Sequence, residues 1–263
     1  MILGVDIGNT TISFGLVQGQ KVKKVWKIWT PHSLGQASVQ LKKILQKILT
    51  SSKNLEAILI CSVVPLVTPI VQKSLQKFSG IKPLVVGKDI LVPIKNRYRN
   101  PKKVGQDRLV VTYAAKELYG APCIVVDLGT AITFDIVSKK GEYLGGLIVP
   151  GIRLSIESLF KKTALLPKVN IEEPKELIGR DTKNSILSGI FYGYGALCDG
   201  MVLKIEKKIL SKAKVIATGG HTRLMARYIT RPITCDDDLI FKGMGIIAQQ
   251  ILSVKKVIGQ RKG

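Results

Sequence analysis

"LGVDIGNTTISF" at residues 3–14 and "IVVDLGTAITFD" at residues 124–135 decide how this chain is read. In the first stretch an apolar run carries one acid, Asp6. A Gly8–Asn9–Thr10–Thr11 cluster follows, and the chain then returns to β-type residues. Two readings of that acid are open. It can cap local N–H groups in a tight hairpin turn. Alternatively, it can hold a hydrated Mg²⁺ bridging phosphates, beside backbone N–H groups that glycine lets the turn aim. The second stretch repeats the first at a shift of 121 residues, aligning Asp6 with Asp127, Gly8 with Gly129 and Asn9 with Thr130. Each copy leads into a further turn, "GQ" after the first and "KKG" after the second. Internal duplication is the economical explanation.

Working outward from the two copies gives an α/β chain. Strands are expected at 2–7, 11–17 and 22–30, an amphipathic helix with a lysine face at 34–50, and a strand at 57–64 stopped by Pro65. A helix over 67–78 and a short strand at 83–87 complete a βββαβαβ order. Residues 90–108 form a basic loop leading into a helix over about 106–119. Strand–turn–strand–turn–strand resumes at 123, followed by helices near 152–161 and 182–210, a strand into the Gly–Gly turn of "ATGGH" (217–221), and a last helix over 239–252. Two ribonuclease-H-like halves, 1–118 and 119–263, would place the two Asp–x–Gly turns opposite each other across a central cleft. "ATGGH" adds a third turn, which could pass close to a purine.

The chain of 263 residues, 46% hydrophobic, has ample material for two cores. No run reaches the roughly 18 uninterrupted apolar residues of a membrane span. The N-terminus has no basic region ahead of its apolar run, so no signal peptide is expected. Four well-separated cysteines without CxxC spacing read as reduced structural thiols of a cytoplasmic protein. A net charge of +23 reads either as a solvated lysine-rich surface or as attraction for anions. No RNP pattern or zinc-finger spacing accompanies it, and aromatics are only 6%, so specific nucleic-acid binding is not expected. His32 and His221 lack cysteine partners nearby and read as structural or surface residues, with an adenine-side contact open to His221.

The ordered set "DIGNT" (6–10), "CSVVP" (61–65), "GQDR" (105–108), "VDLGTAITFD" (126–135), "GGLIVPGI" (145–152), "TALLP" (163–167), "SGIFYG" (188–193) and "ATGG" (217–220) resembles type III pantothenate kinases over nearly the whole chain. The resemblance implies the acetate and sugar kinase/Hsp70/actin fold, with actin-like ATPase domains and a central ATP and substrate cleft. It also implies a homodimer and ATP-dependent phosphorylation of pantothenate, the first step of coenzyme A synthesis.

The same resemblance implies roles residue by residue. Asp107, in Gly–x–Asp–Arg, corresponds to the catalytic base, and a positioned carboxylate can take the proton of an attacking alcohol. Asp107 is the only acid between Asp89 and Glu117. Without the resemblance it would read as a helix N-terminal acid held by the dipole. Asp6, Ile7, Gly8, Asn9, Thr10 and Thr11 hold ATP phosphates, with Mg²⁺ on Asp6 through water. Thr130, Gly219 and Gly220 complete the ATP contacts. Tyr98, Gly105, Gln106, Asp107 and Arg108 face pantothenate, with Arg108 offering paired donors to its carboxylate. Thr182, which alone would read as a helix N-cap, is implied to reach the pocket across the dimer. Asp127 corresponds to the ligand of a monovalent cation, K⁺ or NH₄⁺. Gln106 departs from the small residue frequent at its position. It could hydrogen-bond substrate or face solvent. Two rivals stay open on the residues: a kinase of the same fold acting on another acceptor, and a nonenzymatic regulator or nucleic-acid-associated protein.

Overall fold

The computed structural model describes residues 1–31, 34–51 and 54–260. His32 lies outside them. The chain divides into two compact units, one of residues 1–94, 100–114 and 238–263, the other of 95–99 and 115–237. The last helix therefore belongs with the first unit, although it follows the whole of the second along the chain.

Unit 1 carries one five-stranded sheet in the order β3-β2-β1-β4-β5, with β1 Ile2–Ile7, β2 Thr11–Gln18, β3 Lys21–Trp29, β4 Ala57–Ser62 and β5 Leu84–Val85. β1 and β2 are antiparallel, while β1 and β4 run parallel. Nearly every residue of β1 and β4 is buried, as expected for strands covered on both faces. Helices α1 (Leu34–Ser51) and α2 (Thr68–Ser79) contribute Leu41, Ile44, Leu45, Ile48, Val71 and Leu75 to a core with Leu3, Val5, Ile7 and Phe14. Each such side chain, fully buried, stabilises the unit by roughly 1.5–3 kcal/mol. α3 (Gln106–Tyr119) starts in this unit, and α7 (Leu239–Gln260) packs over β1 and β2. Gly4 and Gly15 permit that approach. A Cβ on Gly15 would lie 2.4 Å from the buried Phe241 ring, and one on Gly4 would lie 2.9 Å from Met244.

Unit 2 repeats the plan. Its sheet runs β10-β9-β6-β7-β8, with β6 Cys123–Leu128, β7 Ala131–Val137, β8 Tyr143–Pro150, β9 Lys214–Thr218 and β10 Thr234–Cys235. β6 pairs antiparallel with β7 and parallel with β9, as β1 does with β2 and β4. The burial patterns of β1 and β6 are identical residue by residue, with only the aspartate partly open. Beyond the aspartate the copies differ by one residue. Ile7 pairs with Ile12, but Leu128 pairs with Ile132, so the second turn is shorter.

Helices α4 (Ile152–Lys162), α5 (Thr182–Ile209) and the short α6 (Thr222–Met225) complete unit 2. Among the described residues α5 is long and apolar enough to cross a membrane by length and composition. It is the core helix of its unit, burying Leu187, Phe191, Cys198 and Val202 against β6, β7 and α4 residues. Its Asp199 accepts from the backbone N–H groups of Thr230 and Arg231.

The expected elements are present with small changes of boundary. β4 ends at Ser62, and the last helix continues well past 252. The two-residue β10 and the single-turn helical pieces at 101–103 and 226–228 carry no periodicity to announce them.

Gly15→Ala should destabilise the protein by about 1–3 kcal/mol, because the new methyl meets a buried aromatic ring with nowhere to move. The measurement is the urea midpoint, which should fall, with a smaller fall when Phe241→Leu accompanies the change.

Candidate functional site

In unit 1 the site is built at the C-terminal end of β1. Asp6 sits one residue from that end, opposite Ser13 on β2 and Cys61 on β4. The following turn is closed by Gly8 N–H donating to Thr11 C=O at 2.9 Å. Thr30, just past β3, fixes it from the side. Its N–H donates to Thr10 C=O at 2.9 Å and its hydroxyl to Gly8 C=O at 2.6 Å. Val63 N–H reaches Ile7 C=O at 3.1 Å, so the loop after β4 runs beside the same turn.

Asp107 arrives from α3, where it is the acid of the first turn. Its Oδ1 accepts from Arg108 N–H at 2.8 Å. Gly105 lets the carboxylate fold back, for a Cβ there would lie 2.4 Å from Asp107 Oδ1 and 3.8 Å from Val63. Cys61 ties the parts together. Burial pushes its thiol pKa well up, and the charges of Asp6 and Asp107 both push it further in the same direction. Asp6 is thus registered directly beside the buried thiol, and Asp107, from a distant part of the chain, is near enough for its charge to act on it. This arrangement can accept a proton from a hydroxyl and can offer oxygen ligands to a hard cation. Among the described residues no group of three His, Cys, Asp or Glu side chains is assembled that could hold a metal. A cation at Asp6 would therefore share its coordination with water or substrate oxygens, as Mg²⁺ commonly does.

In unit 2 the Asp127 turn and the Gly219–Gly220 turn lie side by side. Asp127 pairs with Thr218, the last residue of β9. His221 N–H donates to Leu128 C=O at 3.0 Å, and Gly151 N–H to Thr130 C=O at 3.1 Å. Gly219 has φ +100°, and a Cβ on it would lie 2.3 Å from Asp127 Oδ1. Only glycine lets these two turns approach so closely. Burial holds the His221 imidazole below its ordinary pKa, and the Arg153 charge adds to the effect, against the opposing pull of the Leu128 and Gly129 backbone. His221 is partly buried, so it is no simple surface residue.

Of the expected site residues, Asp6, Ile7, Gly8, Asn9, Thr10, Thr11, Gly105, Gln106, Asp107 and Arg108 belong to unit 1, and Asp127, Thr130, Gly219, Gly220, Tyr98 and Thr182 belong to unit 2. In unit 2 the Asp127 and Gly219 turns meet, while Tyr98 lies over Gly145 and Thr182 starts α5. Thr182 is not the N-cap of α5. Asp181 is, its Oδ1 accepting from Asn184 N–H at 2.8 Å, and Thr182 is the exposed first helical residue. The Gln106 side chain packs over Gly87, where a Cβ would lie 2.4 Å away, and its Nε2 donates to Val104 C=O at 3.4 Å. Thr30 and Cys61 were not singled out in the sequence as site residues. Thr30 carries no motif, and only its register beside the Gly8 turn reveals it. Cys61 begins the "CSVVP" segment, but its placement beside Asp6 depends on the parallel pairing of β1 with β4.

A family model for type III pantothenate kinase matches residues 2–204. The chain is 44% identical over 229 residues to a type III pantothenate kinase from Persephonella marina, covering 86% of this chain and 90% of that one. It is 39% identical to one from a Sulfurihydrogenibium species, covering 93% and 98%. Among solved structures, a ROK family glucokinase from Streptomyces griseus, in complex with glucose and AMPPNP, superposes with a TM-score of 0.54 at 14% identity. That likeness covers 95% of this chain and 99% of the other, and it shows the sugar kinase and actin-like ATPase fold.

Gly219→Ala should lower the thermal midpoint by the equivalent of about 1–3 kcal/mol, since the alanine meets both an unfavourable φ and the Asp127 carboxylate. Gly220→Ala has nothing within 4 Å and serves as the comparison, with a change within about 0.5 kcal/mol.

Proposed function

The chain belongs to the type III pantothenate kinase family, and from that premise we propose that it transfers the γ-phosphoryl group of ATP to the primary hydroxyl of pantothenate. The products are 4′-phosphopantothenate and ADP, and the reaction opens coenzyme A synthesis. The observation that carries this reading is the convergence of Asp107 and Asp6 beside Cys61 at the end of β1.

Asp107 is the general base. Its carboxylate stands at the start of α3, backed by Arg108 N–H, and accepts the hydroxyl proton as oxygen attacks phosphorus. Asp6 and the Ile7–Thr11 turn hold the phosphates. Thr30 holds that turn through the Gly8 and Thr10 carbonyls, so its shape is set before an anion arrives, which is the advantage of a preorganised site. Mg²⁺, when bound with the nucleotide, neutralises phosphate charge, and Asp6 is the residue that would hold it through water. Thr130, Gly219 and Gly220 are further nucleotide contacts, and Asp127 is the residue that would hold a monovalent cation, K⁺ or NH₄⁺. Tyr98, Gly105, Gln106 and Arg108 contact pantothenate, with the Arg108 guanidinium on its carboxylate.

Thr182 completes the substrate site in a homodimer. Leu165, Leu177 and Ile178 lie in the segment leading to Thr182 and are 92%, 62% and 79% exposed, which supports a partner subunit over this region. The cytoplasm suits the substrate and the four free cysteines, three of them buried.

Asp107→Asn should lower kcat by about 10²- to 10⁴-fold in a coupled assay with MgATP and pantothenate, while KM for pantothenate moves far less. Near-normal turnover would remove Asp107 from the role. Turnover should also depend on K⁺ or NH₄⁺, and Asp127→Asn should abolish that response. Full activity with neither ion present, in a buffer of bulky organic cations, would refute the Asp127 assignment.

A further inference from the structure

Residues Lys95–Arg99 form a short strap that belongs to unit 2, although the chain on either side of it belongs to unit 1. The strap lies along β8 in a single parallel bridge, Asn96 with Tyr143. Tyr143 N–H donates to Lys95 C=O at 2.9 Å, and Arg97 N–H donates to Tyr143 C=O at 2.8 Å. In extended backbone alternate side chains share a face. Lys95 and Arg97 accordingly turn the same way, and both meet one carboxylate. Lys95 Nζ lies 3.0 Å from Glu142 Oε1 and Arg97 Nη2 lies 2.9 Å from the same oxygen.

The alternate positions carry the consequence. Asn96 Oδ1 accepts from Tyr98 N–H at 2.9 Å, which bends the strap and aims the tyrosine. The Tyr98 ring then rests over Gly145, where a Cβ would lie 3.3 Å from it. Its centroid is 6.5 Å from that of Tyr143, with the planes 29° apart. Tyr143 is itself immobile. It is fully buried, and its hydroxyl donates to the buried Asp135 carboxylate at 2.8 Å, whose other oxygen accepts from Thr133 at 2.9 Å. The floor under Tyr98 is therefore rigid, while the strap above it makes one backbone bridge and the two ion pairs to Glu142.

We propose that Glu142 is a positioning residue for pantothenate binding: it clamps Lys95 and Arg97 so that Tyr98 is held on Gly145, ready for substrate. The proposal rests on the reading of Tyr98 as a substrate contact. Hydrogen bonds from Arg97 and then Lys95 hold the Glu142 carboxyl at a pKa of about 2, so the clamp keeps its charge across the working pH range. Glu142 touches neither ATP nor the reacting atoms in this account, so its loss should act on substrate affinity alone.

The test is steady-state kinetics with both substrates varied. Glu142→Gln should raise KM for pantothenate about three- to tenfold, as expected for loss of two partly exposed ion pairs, with kcat and KM for ATP unchanged. Glu142→Asp, which keeps the charge, should recover most of the loss. Arg97→Gln should give the same split and covers the case of a poorly folding Glu142 variant. Tyr98→Ala should raise KM for pantothenate, and adding Glu142→Gln to it should cost nothing more. An effect of Tyr98→Ala without one of Glu142→Gln or Arg97→Gln overturns the clamp and leaves the Tyr98 reading intact. No effect of Tyr98→Ala overturns both. An equal effect of Glu142→Gln on kcat or on KM for ATP marks a general disturbance and overturns the clamp.

Discussion

The parallel pairing of each Asp–x–Gly strand with the strand that follows it in its sheet organises the molecule. β1 is bonded to β2 on one side and β4 on the other, as β6 is to β7 and β9. A strand bonded on both sides cannot slip by one residue without exposing its buried side chains. The aspartate is therefore fixed at the open end of the strand, beside whatever follows the parallel neighbour. In unit 1 that is the segment starting at Val63, and in unit 2 it is the Gly219–Gly220 turn. In open α/β sheets ligands gather beyond the C-terminal ends of the strands, where the connections part. Both copies here put their polar groups at that place.

The two copies then diverge. The first turn has room for Asn9 and Thr10 and is pinned by Thr30, whereas the second is one residue shorter and is pinned by Gly151. Beside the aspartate the first copy has the Cys61 thiol of β4, and the second has Thr218 of β9 followed by a glycine pressed against the carboxylate. The same scaffold thus presents an acid pair in one unit and a single acid under a glycine turn in the other. These differences fit the proposed division of labour, proton and phosphate chemistry in the first unit and nucleotide and cation binding in the second.

How much of this the sequence made legible depends on the range of the interaction. Strands β1 and β6, their turns and the start of α3 were readable because alternation, glycine and helix-start signals act over a few residues. The duplication made the topology readable, because a repeat carries its pairing with it. Tertiary arrangements had no local signal. Nothing in "FKGMG" says that Phe241 and Met244 will lie on Gly15 and Gly4 of the first strands. Nothing in "IKNRYRN" says that five residues will leave one unit to lie on a strand of the other. Thr182 shows the limit at short range. Asp181 and Thr182 are both good caps by type, and only the backbone geometry awards the place to Asp181.

The charge follows a related logic. Between Asp6 and Glu56 there is no acid at all, while lysines recur on β3 and α1. With 41 Lys and Arg to 18 Asp and Glu, each acid is in demand. Glu142 serves Lys95 and Arg97, and Glu206 serves Lys212 and Arg231. An exposed pair is worth little by itself, so the excess cations add little to stability. They do set a positive field, and both proposed substrates, ATP and pantothenate, are anions. Such a field raises the encounter rate of anions and is screened by salt. Asp6 and Asp127 each stand at the C-terminal end of the central strand of their own sheet, and Asp107 stands in the first turn of α3.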